Sequence, residues 1–369
     1  MDKKETNKLS SLEAVRCVAF LGVFTSHTRL NAFRTLGRWG VSVFLVLSGF
    51  LMVYSYYRKG RIKGSTIKDN FIFLCNKMKR LYPLYILLTL FLFPILFMGN
   101  TRVPFGEGVL RLITSVLFIS EWHFSIHSIV DVAWYLGPLA LFYFVFPRIL
   151  NYMENNYSKT KAYLSIVISL LIQLLIGVIG KNMGNEIGYW YVYYRPLSRI
   201  WEIIIGCNLA YIYLNSTFKL EKWKYTVLEI VSIVLVVVSN VVAMVITPKN
   251  KIVTAVSEIQ EIWWACSLVF IISTGILIYI FAIGQGSVSK VLVCNATLNI
   301  AKLSAYAYLI HNVVLQCLEI MYNHFFGGKE FAYYYGRWIS LSIGFLLTLI
   351  ASYIWSVIVE KVQLRKKRI

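Results

Sequence analysis

LEAVRCVAFLGVFTSHTRL, residues 12–30, is apolar enough to enter a bilayer, yet it carries an arginine and a histidine. Arg16 and His27 are eleven positions apart, and eleven steps of about 100° bring a helix back to within roughly 20° of its starting face. One helix therefore presents both side chains on the same stripe, about 16 Å apart along its axis. Ionisable groups within a membrane helix are costly, so they face a polar cavity or a partner inside the bundle. Glu13 stands one turn before Arg16, at the spacing of an ion pair. A charged pair and an imidazole on one stripe point to a polar interior site. A neutral imidazole near pH 7 is suited to take a proton from a hydroxyl. The plainer reading of His27, a satisfied structural group in an apolar helix, leaves Arg16 on the same face unexplained.

The rest of the chain extends that reading. Of its 369 residues, 58% are hydrophobic and only 15% are charged, well below the charged share of about 25% in soluble domains. The apolar residues fall in blocks long enough to span a membrane, about ten in all. They cover 12–29, 38–57, 82–98, 132–150, 162–181, 197–214, 225–246, 261–282, 302–325 and 337–360. The fold class is all-α: a polytopic membrane helical bundle forming a single domain over residues 1–369. The first block is expected to stay as a helix, because no small-x-small cleavage site follows it. The stretch 107–120 is apolar but short, which suits a re-entrant or interfacial piece.

Charge sets the orientation. The loop over 58–80 holds Arg58, Lys59, Arg61, Lys63, Lys68, Lys77, Lys79 and Arg80 against one acid, Asp69, and the C-terminus reads KVQLRKKRI. Within that loop, 66–80 reads as an amphipathic cytoplasmic helix leading into the third span. An even number of spans puts both termini and this loop on one side, which the positive-inside rule makes the cytoplasm. The formal net charge of +20 then reflects topology, not nucleic acid. A basic cytoplasmic mouth would suit an anionic ligand such as a nucleotide-phosphate cofactor, although contact with lipid headgroups alone explains it as well. Six scattered cysteines show no metal-ligand spacing, and no metal is expected.

Other segments gain meaning from their order. GRWGVSVFLVLSGFLM (37–52) holds small residues, Gly49 among them, that allow close helix approach. KMKRLYPLY (77–85) places Lys77 and Arg80 before Pro83 at a helix entrance. Trp134 belongs to an expected outer interface. Arg199 and Glu202 bring opposite charges into the start of a span, three residues apart, and are able to neutralise each other. His311 lies well inside the ninth span, and Glu360 at the inner end of the tenth.

Taken in order, these pieces resemble acyltransferase family 3, integral membrane enzymes that O-acylate cell-surface polysaccharides and related glycans. Arg16 and His27 match its basic-x10-His opening, and VFLVLSGFLM (43–52), with Ser48 and Gly49, matches its FF-x-LSGFLI segment. Lys77 and Arg80 before Tyr82-Pro83 match its R-x-x-R element, with Lys in the first place. Trp134, Leu136, Phe142, Tyr143 and Pro147 match W-x-L…FY…P, where many members carry a Glu and this chain has Leu139. Arg199, Glu202 and Gly206 match R…EF-x-x-G; Ser304, Tyr306, Tyr308 and His311 match S-Y-x-x-Y-L-x-H; Glu360 matches the closing Glu. The sequence stops soon after the tenth span, so the hydrolase-like domain that some members carry is not expected in it.

The resemblance implies a multi-pass plasma-membrane O-acyltransferase, most simply an O-acetyltransferase. It would move an acyl group from cytoplasmic acetyl-CoA to a sugar hydroxyl of a polysaccharide or lipid-linked glycan. His27 would be the base or acyl carrier, supported by Arg16 and Glu13. Arg16, Lys77 and Arg80 would meet the CoA phosphates. Ser48, Gly49, Trp134, Arg199, Glu202, Tyr308, His311 and Glu360 would complete the substrate site or its frame. The competing class is a transporter or flippase of a lipid-linked sugar, which also buries charge in the membrane but often shows an internal repeat, absent here. A structural subunit would leave Arg16 and His27 without purpose.

Overall fold

The computed structural model describes residues 3–28, 34–60, 62, 66–98, 103–217, 219–246, 259–325 and 336–368. The long helices, in chain order, are α1 (Lys3–Ser26), α2 (Arg34–Tyr56), α3 (Ile67–Met78), α4 (Tyr82–Leu92), α5 (Phe105–Val116), α6 (Leu136–Asn156), α7 (Lys159–Lys181), α8 (Pro196–Leu214), α9 (Lys222–Ile246), α10 (Ile259–Ile283), α11 (Asn295–Phe325) and α12 (Phe345–Arg368). No strand occurs among the described residues, and the chain is an all-α membrane bundle.

Seven helices are long and apolar enough to cross a bilayer, and an eighth candidate is the pair Ile67–Met78 and Tyr82–Phe97, bent by 69°. The remaining two expected spans, α1 and α10, both pack on α2. The bend has a local cause. Thr66 and Asp69 cap the start of α3 reciprocally, and Pro83 occupies the first turn of α4. The amphipathic piece therefore ends before the apolar one begins, as the sequence implies. The 107–120 stretch becomes the short helix α5 and an irregular loop to residue 135.

Burial sorts the helices into layers. The apolar window of α2 is 78% buried, against 28% in α7 and 17% in α12. α2 is therefore the axis, while α7 and α12 show apolar flanks to their surroundings. The central contact is between α2 and α8, and it is backbone on backbone. A Cβ at Gly49 would sit 1.9 Å from the Ile203 carbonyl oxygen, and one at Gly206 1.9 Å from that of Val46. In lipid no hydrophobic drive holds helices together, so such close packing supplies the contact.

The two ends of the bundle differ. At the end carrying the basic 58–80 segment, the Arg58 N–H donates to Glu154 Oε1 at 2.6 Å, and Ser11 Oγ donates to the Phe281 carbonyl at 2.6 Å. Near this end the buried Glu229 of α9 accepts the N–H groups of Gly286, Val288 and Ser289, each at 3.0 Å. It thereby satisfies the free donors of the short helix Ser287–Leu292. The opposite end gathers His27, the 117–135 loop and residues 184–195.

Gly49→Ala or Gly206→Ala should push α2 and α8 apart, at a cost of about 1–3 kcal/mol or more. The check is thermal unfolding of the detergent-solubilised protein, with Gly106→Ala, which meets nothing within 4 Å, as the exposed control.

Candidate active site

α1 carries its two singled-out groups to different depths. His27 lies just beyond the last turn, exposed at the end of the bundle. Its Nδ1 is 2.8 Å from the Val23 carbonyl. A carbonyl only accepts, so Nδ1 carries a proton there. His311, fully buried in α11, repeats the arrangement: its Nδ1 donates to the carbonyls of Tyr308 at 2.7 Å and Ala307 at 3.2 Å. Its Nε2 has no hydrogen-bond partner. The two rings stand edge to face, 4.9 Å between centroids. Two imidazoles, each with Nδ1 held by a backbone carbonyl, thus meet where α1 ends against α11.

Aromatic side chains continue inward from this pair. Phe20 and Phe24 flank His311 at 6.4 and 6.2 Å. Tyr308 follows at 5.8 Å, and Tyr135 lies 5.1 Å from Tyr308. Ser48 of α2 is beside Tyr135, and the Arg16 guanidinium is within Coulombic range of Tyr135 and Tyr143. Arg16 is half-buried, with Nε lacking a hydrogen-bond partner. Arg16 thus lies near one end of this column of tyrosines and His27 at the other. The expected Glu13–Arg16 pair does not form: Glu13 is exposed and has no ion pair among the described residues. Three helical steps turn the chain by about 300°, which leaves Glu13 outside while Arg16 turns in toward the tyrosines.

A second buried charge stands beside the column. Arg199 Nη1 is 2.9 Å from Glu202 Oε1, with both side chains almost wholly inaccessible. The guanidinium also faces Tyr193 at 5.1 Å and Trp134 at 5.8 Å. The motif residues Trp134, Arg199 and Glu202 are thus brought together, and Gly49 and Gly206 hold the α2–α8 contact beside them.

The basic end holds the remaining expected residues in two groups. Lys77 lies over the Tyr56 ring at 4.4 Å. Arg80 points elsewhere, its Nε donating to the Tyr306 hydroxyl at 3.0 Å. Arg80, Lys302, Tyr306 and Glu360 line a cavity of about 600 Å³. Lys77, Arg80 and Arg16 thus turn to three different tyrosines, Tyr56, Tyr306 and Tyr135. Next along the same helices, a cavity of about 680 Å³ is lined by apolar side chains of α4, α11 and α12, among them Leu87, Val314 and Ile354.

Tyr135, Tyr193 and Lys302 were not singled out from the sequence. Tyr135 had a signal, its place next to Trp134. Tyr193 and Lys302 had none, because their roles come from helices distant in sequence.

An all-helical membrane bundle with paired imidazoles and buried cations has the ingredients of group transfer within a bilayer. The chain belongs to the acyltransferase-domain family, whose model matches residues 9–359. It is similar to the O-acetyltransferase OatA of Staphylococcus aureus, 25% identical over 232 residues, which is 58% of this chain and 36% of that protein. It is similar also to the putative peptidoglycan O-acetyltransferase YrhL of Bacillus subtilis, 26% identical over 238 residues, 59% of this chain and 36% of that protein. A third relative is the Regulator of hypoxia-inducible factor 1 of Caenorhabditis elegans, 25% identical over 54% of this chain and 45% of that protein. The matches thus span less than half the length of these curated relatives. No solved structure matches the chain.

Two outcomes follow from this geometry. Arg199→Met or Glu202→Gln alone should destabilise the protein by about 3–5 kcal/mol, because each strands a buried charge, while the double substitution recovers much of the loss; thermal unfolding of the three variants checks this. In the 117–130 loop, the Glu121 carboxylate at His127 Nδ1 raises the His127 pKa above its ordinary value. Any stability from this pair is present below the unfolded imidazole pKa, about 6.5, and is lost as pH rises through the higher folded value. Glu121→Gln should lower the His127 titration midpoint toward the ordinary value, read by NMR of labelled histidine.

Proposed function

We propose that the protein is a plasma-membrane O-acetyltransferase moving an acetyl group from cytoplasmic acetyl-CoA to a hydroxyl of a cell-surface glycan. The observation that carries this is the pair of imidazoles 4.9 Å apart, His311 Nε2 buried without a partner, standing at the end of a column that contains Arg16. A bare Nε2 is what a general base or an acyl acceptor requires. A buried histidine of purely structural role would have both nitrogens satisfied.

The basic end is the cytoplasmic one by the positive-inside rule, with both termini there. Arg80 and Lys302, in a cavity at that end, meet the CoA phosphates, since both carry fixed donors for such oxygens. Lys77 adds to the positive potential of this mouth, and Glu360 borders it. The thioester arm enters the bundle past Arg16, whose unpartnered Nε offers a donor to the thioester oxygen. Glu13, exposed on the other face of α1, has no direct part.

His27 Nε2 takes the proton of the acceptor hydroxyl as the oxygen attacks the thioester carbonyl carbon. The C–O bond forms, the C–S bond breaks, and the CoA sulfur leaves as thiolate. The proton held on His27 then passes to that sulfur, so that free CoA and the acetyl ester result. His311 presents its own lone pair beside His27, steadying the imidazolium that forms. Ser48, Tyr308 and Trp134 line the way, and the Arg199–Glu202 pair holds Trp134 and Tyr193 in place. The relatives named as O-acetyltransferases, one of them for peptidoglycan, support the acetyl group and a glycan acceptor. The rival reading, movement of a lipid-linked sugar, has no comparable use for the imidazole pair.

The test is release of free CoA from acetyl-CoA by the purified protein in nanodiscs supplied with membrane glycan. His27→Ala should abolish it, a loss of at least 100-fold at unchanged thermal stability, and His311→Ala should reduce it strongly. Full activity of His27→Ala would sink the assignment. Sugar movement across vesicles without any acyl donor would favour the transporter.

A further inference from the structure

Residues 189–194 read YWYVYY, five aromatic residues in six positions. They enter a π-helical turn, Trp190–Tyr194, immediately before α8. Such turns are uncommon and gather at functional sites. The rings are half-buried and pack on one another: Tyr189 stacks on Tyr193 at 5.4 Å and meets Tyr194 at 4.9 Å. Trp134 closes the group from below, 4.8 Å from Tyr193 and 5.4 Å from Tyr194.

An aromatic belt at the membrane surface is the ordinary explanation for tyrosine and tryptophan here. The surroundings argue against it, because the patch is studded with charge. Arg38 lies over Tyr193 at 5.9 Å and Arg195 over Tyr191 at 4.8 Å. Neither arginine has an acidic partner among the described residues. They stand at the end opposite the basic one, where orientation in the membrane asks for no cations. From the facing loop, His127 approaches Tyr194 at 6.3 Å, and the buried Glu121 carboxylate accepts the Ser128 N–H at 2.9 Å. Trp190 Nε1 ties the patch to this loop by donating to the Glu121 carbonyl at 2.9 Å. Asp131 is exposed at the rim, within Coulombic range of Tyr194 and His127.

Aromatic faces beside free guanidinium and carboxylate groups match one kind of ligand. A sugar ring lays its C–H face on an aromatic ring and turns its hydroxyls to charged side chains at the edge. The patch is also continuous with the imidazole pair: Trp134 is followed by Tyr135, which meets Tyr308, which meets His311. We infer that the 189–195 turn, with Arg38 and Asp131, holds a sugar ring of the acceptor and delivers its hydroxyl toward His27. The inference rests on the acyl-transfer reading for its purpose, but sugar binding itself stands apart from it.

The experiment is titration of the full chain in nanodiscs with a soluble N-acetylglucosamine–N-acetylmuramic acid disaccharide, followed by calorimetry, alongside acetyl-CoA binding. Asp131→Asn, at an exposed position, and Tyr194→Leu should each raise the disaccharide Kd at least 10-fold. Acetyl-CoA binding and the melting temperature should be unchanged in Asp131→Asn. A parent chain that fails to bind the disaccharide, or an unchanged Kd in both variants, overturns the sugar site. Asp131-dependent disaccharide binding by a protein that never releases CoA would keep the sugar site and sink the enzyme reading instead.

Discussion

The contact on which this bundle depends is the backbone-to-backbone approach of α2 and α8 at Gly49 and Gly206. Each glycine lies where a single added methyl group would overlap a carbonyl oxygen of the other helix. In a soluble protein, burial of apolar surface would tolerate a wider spacing. In a bilayer that drive is absent between helices, and close fit carries the association. The approach sets more than spacing. α8 brings Arg199 and Glu202 to the axis, and the turn before α8 brings Tyr193 against Trp134. α2 brings Ser48 toward Tyr135. Without this contact the walls of the tyrosine column would not face one another.

The buried charges divide into two kinds. Arg199 and Glu202 neutralise each other and are packed by rings, which is the structural reading their spacing suggests. Glu229 is likewise consumed, as the acceptor for three backbone donors. Arg16, His27 and His311 are different: none has an ionic partner among the described residues, and all three border the tyrosine column. That contrast separates the candidate site from the frame more clearly than burial alone.

Much of the site could be read in order along the chain, because its residue types recur in segments that local chemistry delimits. Arg16 and His27 share a helical stripe through the helical period, and Arg199 and Glu202 pair through their three-residue spacing. The same local rule failed for Glu13, since spacing allows a pair but does not say which face looks inward. It also could not show that Lys77 and Arg80 diverge, one toward Tyr56 and the other toward Tyr306. That divergence arises at the 69° bend between α3 and α4, which sends neighbouring side chains to different helices.

By itself the sequence determined that the chain is a bundle of apolar helices, with one basic end and an ionisable stripe on its first helix. These follow from hydropathy, charge and the helical period, all local quantities. Only the tertiary structure decided that His27 meets His311 across hundreds of residues, with His311 Nε2 buried and unpartnered. It alone brought Tyr135 and Tyr143 near Arg16, and set the 189–195 aromatic turn against Arg38. Such pairings depend on which helices lie side by side and at what rotation, and close packing of small residues sets both.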